Sequence, residues 1–480
     1  MKNTRFTLIL ILSFLCFSCT TKPDCFKLNS VIHEEFSKGN FAKVVKLADS
    51  IRVNCEEMPG VIGKADSLAD MIHRIKLDFT LTEDEAIKQL ETRFGPFSIE
   101  DRRRWEEKGW LEFRLIDGEK RYFNRTVSNL GLLSLFHENR SGWLQENARD
   151  PALVFRLRHT AEVIKAAGRN QKPLIPVNMK VDYTLTVDAD AVPDGEIIRC
   201  WLPWPKSTHP RQEKVDLIDI SSPQFIFAPD TAIHGTVYME AKARKGLPTL
   251  FKMSFRYQSS AGYFNPENIE PLPYDRYARL FLRYTSEHPP QITFSDNVRR
   301  LADSIAGNEE NPIIVVHKIY SWFKENIPWT GALEYSTMPD IPEYVIKNRR
   351  GDCGMQTFLF MSLLRYKGIP VRWQSGWMVP VIGKNLHDWC EIYYEGTGWV
   401  PADVSYDLQS SDNRALMNFY MTGIDSYRMI VNEGISGPLH PPKKFRRSEP
   451  YDFQRGEVEW SGGNLYFDKW DYNMQIEYLK

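Results

Sequence analysis

Gly351-Asp352-Cys353-Gly354-Met355-Gln356-Thr357-Phe358-Leu359-Phe360-Met361-Ser362-Leu363-Leu364-Arg365-Tyr366-Lys367-Gly368 is the stretch from which the rest of the chain can be read. Met355 to Tyr366 is apolar almost throughout, which predicts a helix enclosed by protein, and Lys367-Gly368 supplies its stop. A glycine turn feeds into that helix at Cys353. A cysteine there lies near the positive end of the helix dipole, which favours the thiolate, so a depressed thiol pKa is expected. Apolar-rich segments follow at Val371 to Val379, Asp388 to Tyr394 and Trp399 to Val404, the last two joined by Glu395-Gly396-Thr397-Gly398. They predict three strands.

A cysteine that attacks an acyl carbon needs a histidine to hold the proton and a third group to orient that ring. His387 and Asp403, both at or near the predicted strands, are the candidates. With Gly396-Thr397 at the centre of the turn, His387 would pair with residue 406, leaving Asp403 on the opposite face. A bulge or irregularity near Pro401 is therefore expected. Zinc is the rival use of Cys, His and Asp, but no local Cys/His spacing supports it, and Cys390 falls on the other strand face from His387. Cys200, Cys390, His317 and His440 read as structural.

These residues resemble the transglutaminase-like superfamily, which shares a papain-like core. The resemblance is carried by Gly351-Asp-Cys353-Gly, by Arg365-Tyr-Lys-Gly-Ile-Pro370-Val-Arg372 and by Ser375-Gly376-Trp377. Leu386-His387-Asp388-Trp389-Cys390-Glu391-Ile392 and Gly398-Trp399-Val400-Pro401-Ala402-Asp403 complete it. It spans about 294 to 407 and implies Cys353 as nucleophile, His387 as base and Asp403 as its orienter. It also implies an oxyanion donor beyond the Cys353 amide, with Trp329 as first candidate and Gln356 as second. Asp388 departs from the pattern, because a small residue often follows the histidine.

Reading outward, Met179 to Val187, Ile197 to Leu202, Val215 to Ile220, His234 to Ala241 and Leu250 to Tyr257 are short strands between Gly, Pro and Asp turns. They predict a β-sandwich-like domain over 176–262. Before it, residues 19–172 read as mainly helical, with a helical hairpin at Phe26 to Phe36 and Phe41 to Val53. Helices and an Asp117-Gly118 hairpin further on could form a winged-helix-like part. The transglutaminase-like domain is placed at 270–430. Residues 431–480, irregular and rich in Pro and Trp, read as an extension packed on the core. The fold class expected is therefore multidomain α+β.

Residues 1–18 read as a lipoprotein signal peptide: Lys2 and Arg5, an apolar run from Phe6 to Phe17, and a lipobox-like Leu15-Cys16-Phe17-Ser18-Cys19. Cys19 is then the lipidated residue and the acyl chains the membrane attachment. That places the chain in a bacterial cell envelope, on the outer-membrane or periplasmic face, where disulfides are permitted. Cys25 and Cys55, flanking the helical hairpin, are a possible bridge.

With 61 Lys+Arg against 62 Asp+Glu the chain lacks the basic footprint of nucleic-acid binding, so no nucleic acid is expected as partner. The expected activity is acyl transfer through a thioester on an amide or peptide bond. Hydrolysis by a peptidase or amidase is favoured over cross-linking, on a protein, peptide or peptidoglycan-peptide substrate. Neither route calls for a metal or other cofactor. The alternative is a non-catalytic envelope scaffold that holds peptide or glycan in the same cleft.

Overall fold

The computed structural model describes residues 24–169, 171–406 and 411–479. The signal and Cys19 lie outside the described residues. The described residues divide into two compact units, one within 24–83 with 113–121 and the other within 84–112 with 122–479.

In the smaller unit, helices Cys25–Ser37, Phe41–Asn54 and Pro59–Asp78 pack through Ile32, Phe41, Val44, Ala48, Ile51 and Ile75. The helical spacing of these residues is what turns them all to one side. Asp24 caps the first helix by accepting from the Phe26 and Lys27 amides. Cys25 and Cys55 form a disulfide across the open end of the hairpin.

The larger unit carries an antiparallel sandwich. One sheet holds Leu174–Val187, Gln212–Ile220 and Thr249–Tyr263; the other holds Ile197–Pro203, Phe225–Phe227 and Thr236–Lys242. Alternate residues such as Val181, Tyr183 and Leu185 point into a shared core with Trp201, Met239 and Phe255. The tail does more than pack on this core. Glu457–Trp460 pairs with Ile197–Pro203, and Trp470–Leu479 runs the length of Leu174–Val187, from Trp470 opposite Val187 to Leu479 opposite Asn178. The transglutaminase-like segment is thus enclosed in sequence by strands of the sandwich. Period-two alternation of Trp470, Tyr472, Met474 and Ile476 suits that role, but its partner lies almost 300 residues earlier.

Between those strands, helix Cys353–Tyr366 lies against a four-stranded sheet ordered Gly398–Ala402, Asn385–Tyr394, Val371–Met378 and Arg428–Asn432. The helix is buried from Gly354 to Arg365, and Phe358 stacks on Trp373 with ring centres 4.1 Å apart. Trp377, Val379, Met429 and Val431 continue into the sandwich core, so sheet and sandwich share one apolar interior. No helix among the described residues is long and apolar enough to cross a membrane.

Candidate active site

Cys353 opens its helix, and the Asp352 carboxylate before it caps the helix by accepting from the Met355 amide at 3.0 Å. The Tyr335 hydroxyl donates to the same Asp352 oxygen at 2.6 Å. This placement departs from the expected depressed thiol. Burial first, and then the nearby Asp388 and Asp352 carboxyls wherever they are ionised, pushes the Cys353 thiol well above its ordinary value. A helix terminus carries only about half a charge, too little to outweigh those surroundings.

His387 lies on Asn385–Tyr394 opposite Gly376. Its Nε2 is 2.7 Å from Asp403 Oδ2, which assigns the ring proton to Nε2 and leaves Nδ1 as the basic nitrogen. Burial lowers the His387 pKa, and Asp403 only partly reverses that, so the resting imidazole is neutral. Asp403 itself is fully buried. Burial would raise it, but His387 and Arg428 outweigh burial and hold its carboxyl below the ordinary value. Arg428 Nη1 is 2.9 Å from Asp403 Oδ2, and the Ser405 amide donates to Oδ1 at 3.1 Å.

The register that unites His387 and Asp403 differs from the expected one. Tyr394 faces Gly398 across a three-residue loop, and the ladder runs without irregularity through Glu391 opposite Pro401 to Cys390 opposite Ala402. One residue of shift relative to the two-residue turn flips every side chain, so odd positions of both strands share a face. Asp403 then falls diagonally beside His387, and no bulge at Pro401 is needed. Pro401 sits on the edge strand, where a missing N–H costs no ladder bond. Beyond Ala402 the chain leaves the sheet, and the Asp403 amide donates to the Tyr420 carbonyl at 2.8 Å.

The hydrogen bond of the Cys353 thiol is to Asp388, Sγ to Oδ2 at 3.4 Å. Gln454 donates through Nε2 to Asp388 Oδ1 at 2.8 Å and to the His387 carbonyl at 3.0 Å. The segment between Arg428–Asn432 and Glu457–Trp460 therefore builds part of the site. Sequence reasoning missed Arg428 and Gln454, and nothing local to either residue signals its role.

Trp329 is 44% exposed, and its loop bridges to Gly351 immediately before the nucleophile helix. Gln356 is buried: Nε2 donates to the Ile327 carbonyl at 2.9 Å and Oε1 accepts from Ser405 Oγ at 2.6 Å. Those bonds brace two loops and weaken Gln356 as an oxyanion donor. Trp329 and Gln356 line a cavity of about 190 Å³ together with Phe136, Trp143, Arg156 and Tyr406. Tyr406 meets the His387 ring edge to face, with centres 4.9 Å apart. Among the described residues no group of three or more His, Cys, Asp or Glu is arranged to hold a metal ion.

Residues 299–404 match the family model of the transglutaminase-like superfamily. This segment is a transglutaminase-like core. The match takes in Cys353, His387 and Asp403 together with three of the four strands of the sheet, all but Arg428–Asn432. The uncharacterized protein YebA of Bacillus subtilis is 25% identical over a stretch covering 26% of this chain and 21% of that protein. The chain thus matches about a fifth of the length of that relative. Among solved structures, a proposed cysteine protease from Cytophaga hutchinsonii is similar at 16% identity and a TM-score of 0.43, covering 63% of this chain and 90% of that one. The periplasmic domain of TgpA from Pseudomonas aeruginosa is similar at 16% identity and a TM-score of 0.28, covering 52% and 93%.

Proposed function

We propose that the transglutaminase-like core is a cysteine enzyme that cleaves amide or peptide bonds by acyl transfer through a thioester, with water as the usual acceptor. The reading is carried by the buried His387–Asp403 pair, 2.7 Å long, in a core that also places Cys353 at the head of its helix. With Nε2–H committed to Asp403, His387 Nδ1 takes the thiol proton as sulfur adds to the carbonyl carbon. The protonated ring then gives that proton to the departing amine, the carbonyl reforms as a thioester, and water repeats the sequence with the same base. Because thiol and imidazole are both neutral at rest, proton transfer accompanies attack instead of preceding it. The Cys353 amide is one oxyanion donor, and Trp329 is the residue we assign to the neighbouring wall of the cleft.

The substrate classes this chemistry suits are a protein, a peptide or a peptidoglycan peptide. The lipobox-like ending at Cys19 supports an envelope location with lipid attachment. The test is hydrolysis of a panel of acyl amides and peptides by wild type, Cys353→Ala and His387→Ala, with a thioester trapped on Cys353 and located by mass spectrometry. Loss of both turnover and trapping in either variant supports the reading; turnover unaffected by Cys353→Ala removes it.

One observation favours a second reading. The thiol is hydrogen-bonded to Asp388 and held above its ordinary pKa, as in a cleft that binds peptide or glycan without turning it over. That reading predicts substrate-length peptides bound equally by wild type and Cys353→Ala and cleaved by neither.

A further inference from the structure

The nucleophile reading leaves the Asp388 carboxyl, bonded to Cys353 Sγ through Oδ2, without a role. Its surroundings define one. Asp388 is 2% exposed, and a carboxylate so buried stays ionised only beside a cation or a full set of donors. The groups around it are mostly acidic. Asp352 comes from the start of the nucleophile helix, with Tyr335 bonded to it; Asp452 and Glu449 come from the segment before Glu457–Trp460. On its own strand His387 is neutral. Arg455, the cation of that segment that acts on Asp452, donates through Nε to Glu449 at 2.5 Å, while Lys443 and Arg447 are bonded to Glu457. Burial first, then Asp452 and Asp352, therefore push Asp388 well above the carboxylate range, and Asp452 is itself raised to about 8.

The two oxygens of Asp388 are not equivalent. Oδ1 accepts from Gln454, so a proton on the carboxyl belongs on Oδ2, and Oδ2 faces sulfur. Gly354 makes this approach possible: a Cβ there would run into the Tyr335 hydroxyl and come within 2.8 Å of Asp388 Oδ2.

We propose that Asp388 is a neutral carboxylic acid whose Oδ2–H donates to the sulfur of Cys353 and stabilises the negative charge that sulfur gathers during attack. This rests on the reading of Cys353 as nucleophile. In that step the S–H proton passes to His387 Nδ1, the carbon–sulfur bond forms, and the carbonyl electron pair moves onto oxygen. Asp388 keeps its proton throughout and acts as a fixed donor, effective because the site is buried. Ionisation of Asp388 at alkaline pH replaces the donor with a negative charge beside sulfur, so reactivity falls there although the thiol itself ionises more readily.

The test follows alkylation of Cys353 by iodoacetamide against pH in wild type, Asp388→Asn and Asp388→Leu, after subtraction of the Cys353→Ala background. An asparagine amide is a neutral donor of the same shape, so Asp388→Asn is expected to react within about twofold of wild type at neutral pH and to lose the alkaline decline. Asp388→Leu, with no donor, is expected to lose at least about tenfold, the weight of a hydrogen bond to a charged group. A several-fold rise in Asp388→Asn, or an unchanged Asp388→Leu, overturns the proposal. Since leucine can disturb folding, the proton is also read directly by infrared difference between wild type and Asp388→Asn at neutral pH. The carbonyl stretch of a protonated acid is the expected result, and a carboxylate stretch overturns it. His387→Ala separates the two readings: if it alkylates like wild type while the acid band persists, the triad fails and neutral Asp388 stands. If labelling depends on His387 but the band is that of a carboxylate, the reverse holds.

Discussion

Arg428 and Asp403 form an ion pair 2.9 Å long in which neither side chain reaches solvent, and Arg428 also donates to Asp425 through Nε and Nη2 at 2.9 and 2.8 Å. One guanidinium is therefore shared between two buried carboxylates, one of which orients the His387 ring. Burial would lower Arg428, but Asp425 and Asp403 outweigh it, so the guanidinium remains charged. Arg428→Met should leave both carboxylates uncompensated and cost about 3–5 kcal/mol. Urea unfolding of the full chain measures this, and a variant as stable as wild type would contradict the account. Arg428→Lys, which keeps the charge without the planar fork, should fall between the two.

Asp403→Asn keeps the shape of the orienting group but places an amide donor against His387 Nε2. The ring then favours its proton on Nδ1 and can no longer accept from the thiol. By the behaviour of such dyads turnover should drop on the order of 10⁴-fold, with substrate binding less affected. Single-turnover acylation of Cys353 is the measurement, and a loss confined to KM would show that Asp403 does not set the tautomer.

Gly354→Ala sets two effects against each other. Alanine favours the helix by about 1 kcal/mol, yet its methyl runs into the Tyr335 hydroxyl and crowds Asp388 Oδ2, which costs about 1–3 kcal/mol. The clash should win because Tyr335 is tied to the Asp352 cap and has little room to retreat. A lower unfolding midpoint together with slower Cys353 alkylation is expected; a more stable protein would mean that the pocket yields.

Stability should fall in acid through His234. Its Nδ1–H donates to Asn432 Oδ1 at 2.7 Å, while Nε2 accepts from the Gly437 amide and from Arg447 at 2.9 Å each. The pattern fits only the neutral ring, and burial, with Arg447 second, lowers the pKa from 6.5 to about 3. Between those values the unfolded chain binds a proton that the folded chain refuses, so stability is present above about 6.5 and declines by up to about 1.4 kcal/mol per pH unit as pH falls toward 3. Denaturant midpoints of wild type and His234→Asn across that window check it: the wild-type slope should exceed that of the variant.

The helix that carries Cys353 and the strands that lead to His387 and Asp403 were legible because their signals are local. An apolar run after Gly351-Asp-Cys353-Gly can only be a buried helix, and a histidine and an aspartate on adjoining strand segments are the partners such a cysteine needs. The thiol environment was not legible. The helix terminus is visible in the sequence, whereas burial first, and then the Asp388 and Asp352 carboxyls, decide the electrostatics, and Tyr335, which bonds Asp352, comes from a different loop. The turn was misjudged by one residue, since Glu395-Gly396-Thr397-Gly398 allows either loop length and only the ladder distinguishes them.

Sequence alone determined most helix and strand identities, the order of a helical region, a sandwich and a transglutaminase-like core, and the residue types proposed for the chemistry. Each depends on periodicity or on neighbours within one element. Tertiary structure decided which residues meet: Asp403 with His387 through a one-residue register, Arg428 beneath them, Gln454 on Asp388, and Trp470–Leu479 along Leu174–Val187. Those contacts join segments tens to hundreds of residues apart, and their stability comes from burying polar and apolar surface together. No single segment of the chain carries that information, because the dielectric and the partners of a buried group exist only once the other segments have closed around it.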